Sequence, residues 1–222
     1  MKIIDVPQSG KCGLTVAFSG RNGLVRRAWV VPSNPRSAAQ LAVRSTLATQ
    51  AAAYDALTED QQNAWAAAAS GYQSKSRLGQ SGPLTGLQLF VKINAILVGH
   101  GGAAVTQCPA RPSFPALATT GLVITNAGGT VTVKLTSPSD PGETTFIRAA
   151  APQRSGVRAT PQVKEIGSCP APVTGVSNIT SLYTAAYGAP VVGKRLFVQV
   201  YQMVDGWESQ PVTYSALVPT SD

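Results

Sequence analysis

The sequence predicts an α+β protein in which an N-terminal β-hairpin and about three helices precede an antiparallel β-sandwich. Before Cys108, apolar residues recur at the spacing of amphipathic helices. After Cys108, short β-rich runs alternate with turn residues. Each half has the size of a small domain, since domains cluster at roughly 100–150 residues. We therefore expect a hairpin and helical docking domain over residues 1–108 and the sandwich over residues 109–222.

The hairpin is predicted over residues 13–31. Leu14–Phe18 and Leu24–Val31 are both β-prone, and the polar segment between them contains Asn22 and Gly23. Asn and Gly tolerate a positive φ, which tight hairpin turns require. Side chains alternate between the two faces of a strand, so one face of the second strand is richer in aromatic and branched residues.

The first helix is expected to begin after Ser37 and to continue to about Leu57. Pro32 and Pro35 end the preceding strand, because proline cannot donate to a strand ladder. Ser37 can accept a hydrogen bond from the backbone of the first helical turn. Apolar residues then recur at helical spacing as far as Tyr54.

Two further helices follow before residue 108. Thr58 and Gln61 form a capping-box pattern, which predicts a second helix to about Ala69 with Trp65 as its main apolar anchor. Apolar residues at helical spacing predict a third helix over Leu84–Val98, which the following glycines end.

Seven short strands are predicted after the proline-rich segment that follows Cys108. Turn residues separate them, among them the Asp205-Gly206 pair. This spacing is typical of an antiparallel sandwich. The predicted strands are Leu122–Thr125, Thr130–Thr136, Thr144–Ala150, Gln162–Ile166, Ser181–Tyr187, Arg195–Val204 and Pro211–Leu217.

The positive charge lies mainly in the front half. Residues 1–110 contain ten Lys and Arg against four Asp and Glu, whereas residues 111–222 contain eight against six. A basic front half suits nucleic acid, an anionic surface or an acidic protein partner. The charges are scattered and do not interleave with aromatics in a run, which makes direct nucleic-acid binding the weaker interpretation.

The chain contains little material for catalysis. It has one histidine, His100, and lacks the common metal-binding and phosphate-binding motifs. Cys12, Cys108 and Cys169 are widely spaced, and we expect them to be buried free thiols. The sequence therefore predicts no enzyme, no cofactor, no metal site and no catalytic residue.

The end of the chain resembles the last two strands of fibronectin type III domains and related Ig-like domains. The matching segments are Gly193–Tyr201, a long strand with alternating aromatics, and Asp205–Val212, a turn with Trp that leads into the final strand. The resemblance implies a fibronectin-type sandwich and names no activity, because this architecture serves adhesion, spacing and decoration alike.

The front half resembles a group of uncharacterised bacterial and prophage-encoded proteins. The pattern consists of Asn34–Ser37 followed by Gln40 and Arg44, and then Leu57–Trp65. The resemblance implies a structural role in a virion or a virion-like particle, with no assigned chemistry to carry over.

The leading hypothesis is a structural component of a phage or phage-like particle: a capsid-decorating, head–tail or tail accessory protein. Only 13% of the residues are charged, against a usual share of roughly 25%. This composition suits a surface covered by copies or partners, and equally a soluble monomer with a Thr/Ser-coated sheet. We expect a homo-oligomer or a lattice-bound chain in contact with other particle proteins.

The expected location is the virion, after synthesis in the host cytoplasm. The chain begins without a secretory signal pattern, and no stretch reaches the roughly 18 apolar residues of a membrane span.

Aromatic and arginine side chains of the front half are the candidate interface residues, because such residues carry much of the energy of protein interfaces. Each aromatic suits a core position as well, and solvated charge is the ordinary state of each arginine. The candidates are Trp29, Tyr54, Trp65, Arg26, Arg27, Arg36 and Arg44.

Two alternatives belong to other functional classes. The first is a nucleic-acid-associated protein that uses the basic front half. The second is a carbohydrate-binding or host-binding adhesin, in which Trp207 in the Asp205–Glu208 loop stacks on a sugar. Trp207 also fits a core position at the end of a strand.

Overall fold

The computed structural model describes residues 9–20, 23–31, 33–73, 82–142 and 144–220. This part of the chain is α+β, as predicted, with four helices and strands that pair antiparallel. It forms two compact units that divide between Ser45 and Thr46. The predicted division into residues 1–108 and 109–222 stays a prediction; it falls between a helix that ends at Gly99 and a strand that begins at Gly121.

The first unit contains a three-stranded antiparallel sheet in the order β1-β2-β3, called here the N-terminal sheet. Its strands are β1 (Gly10–Cys12), β2 (Thr15–Gly20) and β3 (Gly23–Ala28). The predicted hairpin is confirmed, since β2 pairs with β3 from Thr15 opposite Ala28 to Gly20 opposite Gly23. Residues 21 and 22, on which the turn prediction partly depended, lie outside the described residues.

The three front helices are confirmed, and capping interactions begin each of them. They are α1 (Ala38–Asp55), α2 (Glu59–Ser70) and α3 (Gly86–Gly99). Ser37 Oγ accepts from the backbone N–H of Gln40 at 3.3 Å, as the sequence predicts. The predicted capping box at Thr58 is present, and Thr85 forms a second one that the sequence prediction missed.

Two antiparallel sheets form the β-rich part of the second unit. One contains β4 (Gly121–Ala127), β5 (Thr130–Thr136) and β8 (Val176–Asn178), in the order β4-β5-β8. The other has the order β7-β6-β9, with β10 and β11 both paired to β9. Its strands are β6 (Thr145–Ala149), β7 (Lys164–Ser168), β9 (Arg195–Val204), β10 (Trp207–Glu208) and β11 (Val212–Leu217). Residues of both sheets, among them Leu135, Ile147 and Val198, belong to one buried apolar cluster.

The predicted strand Ser181–Tyr187 is wrong, because this segment is the helix α4 (Thr180–Tyr187). A helix places Tyr183 and Tyr187 one turn apart on the same face. There the Tyr183 hydroxyl donates to the Ala150 carbonyl at 3.0 Å and the Tyr187 hydroxyl to the Ala149 carbonyl at 2.8 Å. These tertiary hydrogen bonds outweigh the weak β-propensity of the segment.

α2 and α3 enclose a second buried cluster, which is closed by the turn between β9 and β10. Trp65, Phe90 and Ile93 form its centre, and Trp207 from β10 packs among them. Asp205 and Gly206 have φ values of +50° and +77°, as a two-residue type I′ turn requires. The predicted Asp-Gly turn is thus confirmed, and it brings Trp207 into contact with the helices.

Side-chain hydrogen bonds fix the segment between the helices and the sheets. Trp65 Nε1 donates to the Thr106 carbonyl at 2.9 Å, and Trp207 Nε1 donates to the Pro109 carbonyl at 3.1 Å. The fully buried Asn94 amide donates to the Val105 carbonyl at 3.1 Å and accepts from the Val105 N–H at 2.7 Å. These hydrogen bonds hold residues 105–109 against the helical cluster.

We expect Gly206→Ala to lower the free energy of unfolding by about 2–4 kcal/mol, measured in urea. A Cβ at Gly206 would lie 2.7 Å from Ile93 Cγ2 and 2.9 Å from the Ile93 carbonyl oxygen. The matched control is Gly193→Ala, which has a similar φ of +75° but no neighbouring atom within 4 Å of the added Cβ. The control is expected to cost only the backbone strain, about 1 kcal/mol. Equal losses in the two variants would contradict the close packing of the turn on α3.

Candidate docking surface

The first unit has no buried side chain in the part that the structure describes. Val16 and Ala17 are half-buried, and every other side chain described between residues 9 and 45 is exposed. Several of these are large and apolar, including Leu14 at 80% exposure and Val30 at 74%. The second unit, in contrast, has two buried clusters of its own. Contiguous apolar exposure of this kind marks interaction surfaces.

Val16, Phe18 and Val25 of the N-terminal sheet lie on one face. Val16 pairs with both Lys11 and Arg27, and Phe18 pairs with Val25. Paired residues share a face, and the alternation along β3 continues this face to residue 29. We call it the basic–aromatic face; it contains Lys11, Val16, Phe18, Val25, Arg27 and Trp29. The expectation that one face of the second strand is richer in aromatic and branched residues is confirmed.

Cations lie over both aromatic rings of this face. Lys11 Nζ is 3.6 Å from the centroid of the Trp29 ring, and Arg27 Cζ is 5.5 Å from that of Phe18. A cation at this distance is attracted by the ring electrons while its charge remains accessible. The face therefore combines an apolar surface with positive charge, and both features are exposed.

The net charge of the protein is concentrated in the first unit. Residues 1–45 contain seven Lys and Arg against one Asp, whereas the remaining chain contains eleven against nine. The first unit thus contributes +6 of the formal +8. Among its described residues there are five cations and no carboxylate side chain. Such a one-sided field attracts an anionic surface.

The structure brings two of the predicted interface residues together, because Trp29 and Arg27 share the basic–aromatic face. Trp29 is 41% exposed. Arg26 lies on the opposite face of the sheet by strand alternation. Arg36 precedes α1 with a φ of +48°, and Arg44 Nη2 on α1 donates to Asn34 Oδ1 at 3.1 Å.

The other three predicted interface residues lie in the helical cluster of the second unit. Trp65 is fully buried, and its ring packs edge-on against Phe90 at 5.1 Å. Tyr54 is half-buried and contacts the same ring at 5.4 Å. Trp207 is only 4% exposed and lies 5.0 Å from the Tyr72 ring. The proposed stacking of a sugar on Trp207 is therefore wrong for this structure, since the turn between β9 and β10 directs the indole into the protein.

The sequence prediction missed Lys11, Val16, Phe18 and Val25 as members of the face. The sequence does contain a signal for this face: Val16 and Phe18 alternate along β2, and the strand register places them on the same side as Trp29. The sequence alone does not give this register, because the register depends on how β1 and β2 pair. Single aromatic residues were therefore selected without the surface to which they belong.

The cysteines fit the predicted buried state only in part. Cys169 is buried and Cys108 is half-buried, and burial raises the pKa of both thiols. Cys12 is exposed, so its predicted burial is wrong. Its strand belongs to a sheet that has no buried residue among those described.

The described residues contain neither a metal-binding cluster nor a helix that could span a membrane. In this part of the chain no three His, Cys, Asp or Glu side chains are grouped as a metal site would require. No helix described by the structure has the length and apolarity to cross a membrane.

A polar cluster covers the outer face of the five-stranded sheet beside α3. The Tyr201 hydroxyl donates to Glu165 Oε2 at 2.7 Å, and Arg148 stacks over the Tyr201 ring at 3.9 Å. His100, at the end of α3, lies 3.5 Å from the same Glu165 oxygen and packs against Phe146. These contacts join the end of the helical part to the sheet.

Comparisons with known proteins identify no relative. No protein-family model matches the sequence, no curated protein matches it, and no solved structure matches the chain. What the candidate docking surface can bind is therefore inferred from the residues of this chain alone.

We expect the protein to lose stability as the pH rises above about 10, where exposed tyrosines ionise. Burial raises the pKa of Tyr183 and Tyr201 in the folded chain, and the hydrogen bond to Glu165 raises that of Tyr201 further. The stability from these neutral phenols is complete below the unfolded pKa and is lost as the pH rises beyond it.

Urea unfolding between pH 8 and pH 11 measures this loss. The Tyr201→Phe variant removes one of the two groups, and its free energy of unfolding should fall less steeply with pH. Absorbance at 295 nm should show two tyrosines that ionise only when the protein unfolds. Ionisation of all six tyrosines in one step near pH 10, in protein that is still folded, would contradict the prediction.

Proposed function

We propose that this chain is a non-enzymatic structural component of a phage or phage-like particle, such as a capsid-decorating, head–tail or tail accessory protein. In this proposal the first unit docks onto the particle and the second unit is displayed. One observation carries the proposal: the described side chains of the first unit are almost all exposed, including large apolar ones, whereas the second unit, which also exposes apolar side chains such as Val173, buries two apolar clusters of its own. A unit of this kind reaches its full stability only against a partner.

We also infer that the β-rich part of the second unit is a fibronectin type III-like sandwich. Apart from the two-residue β10, the β-rich part has seven strands, and their pairing supports this inference. The first, second and fifth strands (β4, β5 and β8) share one sheet. The third, fourth, sixth and seventh (β6, β7, β9 and β11) share the other. In an antibody constant domain the fourth strand joins the sheet of the first and second. Here the fourth strand, β7, pairs instead with the third, β6.

The front-half sequence pattern supports a shared fold more than a shared chemistry. Asn34 accepts a hydrogen bond from Arg44, Ser37 caps α1, and Thr58 and Gln61 cap α2. Each of these pattern residues thus sets a helix start or fixes the segment before it. The resemblance to prophage-encoded proteins therefore favours a common docking architecture.

A tagged copy expressed in its native host, with particle production induced, is expected to sediment with particles in a density gradient. Trp29→Asp should reduce the particle-bound fraction about tenfold or more, because aromatic anchors dominate interface energies. The control is Val192→Asp, at a side chain of the second unit with a similar exposure of 46%. Recovery of the unmodified chain only in soluble fractions would overturn the proposed function.

The charge of the first unit keeps nucleic-acid association as a second candidate. If five cations contact phosphates, binding to single-stranded DNA should fall about a hundredfold between 50 mM and 200 mM salt. Fluorescence anisotropy with a labelled thymidine 20-mer measures this. The structural proposal predicts weak binding with no such dependence, and a tight complex with the full salt slope would favour the nucleic-acid candidate.

A further inference from the structure

The basic–aromatic face specifies the chemistry of whatever covers it. Val16, Phe18 and Val25 of the N-terminal sheet lie on this face, and covering them would remove apolar surface from water. Lys11 and Arg27 lie among those side chains. The covering surface must therefore supply apolar contact and, close beside it, negative charge.

Two possible binding partners complement the basic–aromatic face poorly. The same face of another copy would place Lys11 and Arg27 against identical cations, which is unfavourable across an interface. A nucleic acid would satisfy the cations but would leave aliphatic surface without an apolar partner. This surface includes Val16 and Val25 on the face, and Val30 and Val31 directly after Trp29, which are 74% and 66% exposed.

The second unit of the chain has exposed carboxylates and an exposed apolar side chain on α1 and α2. Residues 46–70 contain three carboxylates and no Lys or Arg. The carboxylates belong to Asp55, at the end of α1, and to Glu59 and Asp60, in the first turn of α2, and all three are exposed. Leu47, about two turns before Asp55 on α1, is 54% exposed. We call Leu47, Asp55, Glu59 and Asp60 the α1–α2 corner.

We propose that the basic–aromatic face of one copy binds the α1–α2 corner of a second copy, so that the chain assembles head to tail. The inference rests on the proposed function, in which the first unit is a docking element. The two surfaces differ, so the contact is heterologous and leaves one face and one corner open in every pair. Further copies then add until a ring closes or a filament forms.

Analytical ultracentrifugation of the full chain over a concentration series tests the assembly. At about 50 mM salt the weight-average mass should rise above the 22.9 kDa of one chain as the concentration increases. At about 1 M salt it should fall, since charge attraction between exposed groups is then screened. An unmodified chain that is monomeric at every concentration in low salt would overturn the inference.

Charge-reversal variants distinguish this contact from nonspecific association. Arg27→Glu on the face and Asp60→Lys on the corner should each weaken association about tenfold or more. The double variant should regain much of the loss, because it restores opposite charges across the contact. Lys164→Glu, at an exposed position on β7, makes the same charge change as Arg27→Glu and should leave association unchanged. An equal loss in this control, or no recovery in the double variant, would contradict the assignment.

A mixture of the two single variants tests the head-to-tail geometry. The intact face of the Asp60→Lys chain can bind the intact corner of the Arg27→Glu chain, and the two reversed surfaces that remain again carry opposite charges. An equimolar mixture should therefore assemble further than either variant alone. A mixture that associates no more than the separate variants would contradict a heterologous contact between the face and the corner.

The outcome is distinguishable from failure of the proposed function. A monomeric chain that still sediments with particles in a Trp29-dependent way would overturn self-docking alone. A chain that assembles by charge-reversible contacts but is absent from particles would overturn the proposed function alone. A wild-type chain that stays monomeric and binds the thymidine 20-mer through Arg27 would overturn self-docking in favour of nucleic acid.

Discussion

The turn between β9 and β10 is the constraint that joins the helical and β-rich parts of the second unit. Its two positive φ values reverse the chain so tightly that Trp207 enters the cluster between α2 and α3. The indole then fixes the start of the β-rich segment through the Pro109 carbonyl, while Trp65 fixes Thr106 from the other side. Helices and sheets are therefore stabilised by shared residues, and a change at this turn affects both.

The two units differ in how their large aromatic side chains are placed. The second unit satisfies its large aromatics internally, because Trp65, Tyr183, Tyr201 and Trp207 all find hydrogen-bond acceptors within it. In the first unit the rings of Phe18 and Trp29 contact cations of the same face and stay exposed. Covering such side chains contributes roughly 25 cal/mol per Å² of apolar surface. Covering Phe18 and Trp29 would therefore contribute to the free energy of association.

Local signals in the sequence predicted most of the elements and few of their contacts. The capping residues at Ser37 and Thr58, the Asp205-Gly206 turn and the strands Thr130–Thr136 and Arg195–Val204 all depend on neighbours in the chain, and the structure has them as predicted. The helix α4 was missed because its stability comes from carbonyls about 35 residues earlier. A core position for Trp207 fitted the sequence, but its partners could not be predicted, since they lie on α2 and α3. The candidate surface needed the strand register, which alternation alone does not give.

Positive charge on an apolar face has a second effect besides attraction. An exposed, flat and purely apolar sheet face would also stack on identical faces and promote disordered aggregation. Lys11 and Arg27 oppose this symmetric contact. Stacking would bring the two cations of one copy against the same two cations of the other and would remove the water that solvates all four charges. The same two side chains gain energy when the opposing surface carries carboxylates. In the proposed contact, the sign of the charge on the face, more than its apolar area, would determine which surface it accepts.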